Sequence, residues 1–102
     1  MSMRFGFCYM MASGYHGTIY LGMTSDLPYR VWEQKSKADP DSFTARYDCN
    51  RLVWYERYDL VIDAIAREKQ IKHWKRAWKT ALIEELNPRW DDLPLDWTIY
   101  ER

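Results

Sequence analysis

The chain has 102 residues, 47% hydrophobic and 17% aromatic, and its 15 Lys and Arg balance 15 Asp and Glu. That length suits one packed domain, here residues 1–102 with a core over about 5–93 and a tail over 94–102, and the composition excludes a disordered chain. No apolar run approaches the ~20 residues of a membrane span and no signal-peptide pattern opens the chain, so a soluble cytoplasmic protein with no membrane partner is expected.

Cys8 and Cys49 stand far apart without CxxC spacing, which speaks for small buried hydrophobes and against a disulfide scaffold or a zinc cluster. Phe5 to Met11 is a mostly apolar run and predicts a first strand. It ends at Ala12-Ser13-Gly14-Tyr15-His16-Gly17, whose two glycines suit a hairpin loop. Thr18 to Met23 predicts the second strand. Thr24, Ser25 and Asp26 then offer N-cap oxygens, and Pro28 is tolerated in a first helical turn, so a helix is expected through about Lys37. Ala38 to Asn50 contains Asp-Pro-Asp and reads as a loop.

Arg51 to Glu56 carries apolar residues on both parities, as a strand covered on both faces does. Two helical segments follow, about Leu60 to Trp74 and Arg76 to Leu86. Trp74, Trp78, Ala81 and Leu82 fall on one side, and Trp74 and Trp78 are assigned to the core. Asn87-Pro88 stops the last helix, because a residue before proline avoids the α region. The expected fold class is α+β: a three-stranded antiparallel sheet flanked by helices, in the order β-β-α-β-α-α.

Charge is distributed unevenly along this neutral chain. Arg67, Lys69, Lys72, Lys75, Arg76 and Lys79 are opposed locally only by Glu68, whereas the C-terminal stretch is acidic. A basic stretch of this kind is either a solvated helix face or a local phosphate-binding surface.

Some polar residues occupy places that the pattern reserves for the core. Glu68 shares a helical column with Val61, Ala64, Ile65 and Lys72, where a carboxylate needs a cationic neighbour or a metal ion. Arg30 and Gln34 are i,i+4 neighbours beside Leu27 and Val31, so their tips can point toward the sheet. Tyr9 and Tyr20 lie on strands expected to pair. A carboxylate for a divalent metal, a guanidinium for phosphate charge and a phenol for proton transfer are the parts that phosphodiester cleavage uses.

Several segments, in order, carry a family resemblance. Phe7-Cys8-Tyr9 occupies the place of a GIY triplet and Tyr20-Leu21-Gly22 that of a YIG triplet. Gly22 to Lys35 looks like an arginine-bearing helix, while Phe43 to Tyr47 and Leu52 to Glu56 are similar to the third-strand region. Arg67 to Lys72 and Asn87 to Leu93 complete the match. The chain resembles the GIY-YIG nuclease superfamily over about Phe7 to Leu93, in particular its small stand-alone bacterial proteins.

The resemblance implies catalytic roles for Tyr9, Tyr20, Arg30, Gln34, Glu68 and Asn87. Tyr9 would be the general base and Tyr20 would position or relay. Arg30 would stabilise charge on the scissile phosphate, and Glu68 would bind one divalent ion, Mg²⁺ or Mn²⁺. Asn87 matches a position near the site and also has a structural reading as a helix-terminating residue. The implied partner is DNA, single-stranded or branched, with the basic stretch from Arg67 to Lys79 tracking its backbone. Tyr15, Tyr29, Trp32 and Trp74 are candidates for stacking on unpaired bases.

Three departures accompany the match: Gln34 stands where many relatives have histidine, Met23 where some have lysine, and the first triplet keeps only its tyrosine. His16 and His73 are the histidines available to replace the missing one. The expected function is a metal-dependent, structure- or strand-dependent DNA endonuclease acting in DNA repair, recombination or processing. The alternatives are a catalytically weakened nucleic-acid-binding module and a protein-interaction domain.

Overall fold

The computed structural model describes residues 5–95; the expected tail lies largely outside them. Three strands, β1 (Gly6–Ala12), β2 (Ile19–Thr24) and β3 (Arg51–Tyr58), form one antiparallel sheet in the order β2-β1-β3. Four helices accompany it: α1 (Leu27–Lys35), α2 (Phe43–Arg46), α3 (Val61–Lys72) and α4 (Arg76–Leu86). The expected α+β class and element order hold, with α2 as an addition inside the stretch read as a loop.

The central strand is buried at every residue, which explains its near-continuous apolar sequence. Alternation then sorts its side chains to two faces. Phe7, Tyr9 and Met11 meet Leu27 and Val31 of α1, together with Cys49 and Leu52. Cys8, Met10 and Ala12 meet Ile71 of α3, Ile83 of α4 and Trp90. Glycine is required where α3 crosses β1, because a Cβ on Gly6 would lie 2.7 Å from both Ala64 Cβ and Val61 Cα. A bulge pairs Met10 with Trp54 and Met11 with Leu52, which leaves Val53 unpaired. The consecutive residues Val53 and Trp54 thereby join the same core cluster.

Local chemistry sets the ends of these elements. Asp26 is the α1 N-cap and accepts from the Tyr29 amide at 3.3 Å. The helix stops at Lys35, two residues short of the expected end, and Lys37 takes a left-handed φ of 55°. Ser42 caps α2 by accepting from Ala45 N at 3.3 Å. In the β1–β2 loop the left-handed residue is His16, while Gly17 leaves room for Ser13 Oγ. Beyond α4, Leu93 N donates to Leu52 O at 2.8 Å and Asp92 accepts from Leu52 N at 2.8 Å, fastening the chain to β3.

The core assignment on α4 is corrected. Its deeply buried residue is Ile83, whereas Trp78 is 55% exposed and meets Trp74 edge-on at 6.1 Å. Trp74, Trp78, Ala81 and Leu82 line an open apolar groove together with Glu85. Trp74 and Leu82 are half-buried and pack against the core, so the 3.6-residue period located the inner edge of the face, while Trp78 and Ala81 lie outside it. Both cysteines are buried and unpaired, as expected. Among the described residues, no helix is long and apolar enough to cross a membrane.

Candidate active site

Pairing of β1 with β2 sets Tyr9 opposite Gly22 and Met11 opposite Tyr20. Both tyrosines therefore project to the face that α1 covers, with ring centroids 6.2 Å apart. Gly22 makes the space for them. A Cβ there would come within 2.8 Å of Cζ and Oη of Tyr9 and of Cε2 of Tyr20. Its glycine character is a requirement of close approach, because its φ is not positive.

Helix α1 brings the polar partners. Tyr9 is fully buried and its hydroxyl donates to Gln34 Oε1 at 3.2 Å. Arg30, one turn earlier, interacts with the hydroxyls of both tyrosines and donates to Glu33 Oε1 at 3.2 Å. Burial pushes the Tyr9 hydroxyl up to about 12; Tyr20 adds to the rise, while Arg30 and Gln34 oppose it. Arg30 loses some charge preference to burial, but Tyr9, Glu33 and Tyr20 more than offset this and raise its pKa. At neutral pH the centre is thus a neutral phenol beside a fixed cation. Arg30 and Gln34 also line a cleft of about 160 Å³, together with Glu33, Asp39, Ser42 and Thr44.

The other predicted residues lie elsewhere. Glu68 is half-buried on α3, in the stripe of Ala64 and Ile71, on the sheet face opposite Tyr9. Among the described residues, its carboxylate makes no ion pair or side-chain hydrogen bond, so none ties it to Tyr9, Tyr20 or Arg30. Burial first, then the charges of Glu56 and Glu68, push the Cys8 thiol up to about 12 against the pull of Arg67, so Cys8 is no thiolate.

No group of three His, Cys, Asp or Glu side chains converges among the described residues. A lone carboxylate still fits Mg²⁺ or Mn²⁺, since Mg²⁺ keeps several waters and takes one or two carboxylates plus substrate oxygens. Asn87 is 5% exposed and committed to the backbone: Nδ2 donates to Val53 O at 3.0 Å and Asp91 O at 2.9 Å, and Oδ1 accepts from Asp91 N at 3.0 Å.

The basic stretch divides. Arg67 donates to Glu56 Oε1 at 3.0 Å, and Arg76 donates to the carbonyls of His16 and Gly17 at 2.9 and 2.6 Å. Lys75 sits 5.9 Å from the Trp78 ring centroid. Lys69, Lys72 and Lys79 make no ion pair among the described residues. Neither histidine replaces the missing one at Tyr9. His16 lies 2.7 Å from Glu84 Oε2, and His73 ends α3. Sequence reasoning did not assign a role to Thr44 or Ser42, whose only signal was a capping serine in the stretch read as a loop.

Comparison with known proteins bears on the fold and the family. No curated protein matches the chain. The solution NMR structure of the UPF0213 protein BH0048 from Bacillus halodurans is similar at 22% identity and a TM-score of 0.54, covering 86% of this chain and 92% of that one. It shares the fold. The family model of the GIY-YIG catalytic domain matches residues 5–81, which hold both tyrosines, Arg30, Gln34 and Glu68 but not Asn87. The chain belongs to the GIY-YIG catalytic domain family, that of the GIY-YIG nucleases, which act on nucleic acid.

Proposed function

We infer that this protein is a metal-dependent endonuclease that hydrolyses phosphodiester bonds in DNA, selecting strand structure rather than sequence. One observation carries the reading: Tyr9, Tyr20, Arg30 and Gln34 meet on one face of the sheet, in a core that has no structural need for their polar groups, and Arg30 and Gln34 open onto a cleft beside the two phenols. Arg30 presents a guanidinium to a phosphate in the cleft and stabilises the charge that builds as water attacks phosphorus. Tyr20 orients the same oxygens. Glu68, on the α3 face, would hold the Mg²⁺ or Mn²⁺, and that ion would supply Lewis-acid stabilisation of phosphate charge to a strand bound across both faces of the sheet. Lys69, Lys72 and Lys79 carry free charge to the nucleic-acid backbone, so binding weakens steeply with salt.

Tyr9 takes a proton from the attacking water only as phenolate. Its pKa of about 12 makes that form scarce at neutral pH. Gln34 accepts the hydroxyl proton in a hydrogen bond but cannot remove it. The enzyme is therefore slow at neutral pH. The same hydrogen bond favours a second reading, a binding module with weakened catalysis.

Cleavage of single-stranded, duplex and branched DNA at low salt separates the two. Products that need Mg²⁺ or Mn²⁺, disappear with EDTA and are lost in Glu68→Ala establish the nuclease. Salt-sensitive binding without products, at enzyme excess, establishes the module. Neither binding nor cutting leaves a protein-interaction domain.

A further inference from the structure

The rings of the site continue outward to the surface. Tyr20 lies 6.0 Å from Phe43, Phe43 lies 4.7 Å from Tyr47, and the Arg46 guanidinium stands 6.0 Å from the Tyr47 ring centroid. With the Tyr9–Tyr20 contact, this makes an unbroken aromatic path from the buried phenol to solvent.

The short helix that carries the outer rings is built against the usual preference. Its buried residues are the small Thr44 and Ala45, while Phe43 is 43% and Tyr47 is 49% exposed. Core packing gives the reverse arrangement, with large rings inside and small residues out. Thr44 also lines the cleft that Arg30 and Gln34 open onto, so the exposed rings flank the place assigned to the phosphate.

We propose that Phe43 and Tyr47, with Arg46 beside them, form a subsite that stacks an unpaired nucleobase of the strand whose phosphate meets Arg30. This deepens the nuclease reading and rests on it. Every base has a π-face, so such a platform accepts any sequence. A base inside a duplex is already stacked on its neighbours, so the platform favours single-stranded segments. The nearby guanidinium adds cation–π attraction and one phosphate contact.

The test measures binding of three fluorescein-labelled probes by anisotropy: an oligo-dT strand, a hairpin duplex, and a strand of abasic residues with the same phosphates. For the wild type, oligo-dT binds on the order of 10-fold more tightly than the abasic strand. Tyr47→Ala abolishes that difference and leaves duplex binding unchanged, and Tyr47→Trp restores it. Phe43→Leu, which keeps an apolar cover over Tyr20, weakens oligo-dT binding in the same direction.

Equal losses on all three probes, or a wild type that does not distinguish bases from abasic sugars, overturn the subsite alone. A wild type that cuts DNA while Tyr47→Ala keeps full preference for oligo-dT also overturns the subsite alone. A folded wild type that binds no probe overturns the nuclease reading as well.

Discussion

Gln34 and Asn87 are both amide side chains less than one-tenth exposed, yet their surroundings use them differently. Asn87 gives its amide group to two backbone carbonyls and accepts from a backbone amide, which locks the segment after α4 onto β3. Gln34 meets a single phenol at 3.2 Å and lines a cleft beside an arginine. A buried amide held by backbone on all sides is satisfied and gains nothing from a ligand. One that shares a proton with a neutral tyrosine at an open cleft has groups left over for a substrate. The contrast separates two uses of a buried amide in this fold: beside α1 it faces a cleft, and after α4 it fastens the chain.

The largest expected effect falls on the cleft. Arg30→Ala lowers kcat/KM for DNA cleavage by about 100- to 1,000-fold with little change in melting temperature, because the side chain is partly exposed and its pair with Glu33 lies at the surface. A large loss of stability without a change in activity per folded molecule would break the division. On the other side, Asn87→Ala strands the buried Val53 carbonyl together with the part-buried carbonyl and amide of Asp91, and costs about 3 kcal/mol in denaturant unfolding. The fraction that stays folded cuts DNA at the wild-type rate. Loss of cutting there without loss of stability would move Asn87 into the active site.

A smaller effect sharpens the role of Gln34. With the Tyr9 pKa at about 12, a rate that needs its phenolate climbs tenfold per pH unit through the neutral and mildly alkaline range. Gln34→His supplies a base for the hydroxyl proton. It raises kcat at neutral pH on the order of 10-fold and flattens the profile above the imidazole pKa of about 6.5. A pH–rate profile of both proteins reads this directly.

The smallest effect concerns the fastening side. Trp90 Nε1 donates to Glu84 at 2.8 Å and His16 lies 2.7 Å away, and together they hold that carboxyl below the usual carboxylate range. A depressed carboxylate adds stability above its unfolded pKa of about 4.3 and loses it as pH falls through the folded value. The stability gap between wild type and Glu84→Gln therefore narrows as acid is added, in thermal melts from neutral pH downward. A gap that widened in acid would contradict the assignment.

Much of this was legible in the sequence. The β1–β2 hairpin, the capping role of Asp26 and the limits of α4 follow from turn residues, side-chain oxygens and Asn87-Pro88, all of which act locally. So does the meeting of Tyr9, Tyr20 and Arg30, once strand pairing is assumed. What the sequence hid depends on contacts distant in the chain. Trp78 shares a helical face with Trp74, but which face is covered is decided by α3 and the sheet. Helix α2 is a single turn inside a stretch rich in loop signals, so its ring pair was invisible as a unit. Trp90 is fully buried with a left-handed φ of 57°, which nothing in its neighbours announces.

Tyr9→Phe tests the central claim most directly, because it keeps the ring that packs in the core and removes only the hydroxyl that meets Gln34. Metal-dependent cleavage of single-stranded and branched DNA is compared with the wild type, alongside thermal melts of both. The account predicts a loss of cutting of about 100-fold or more at an unchanged melting temperature. Cleavage by Tyr9→Phe at the wild-type rate would contradict it.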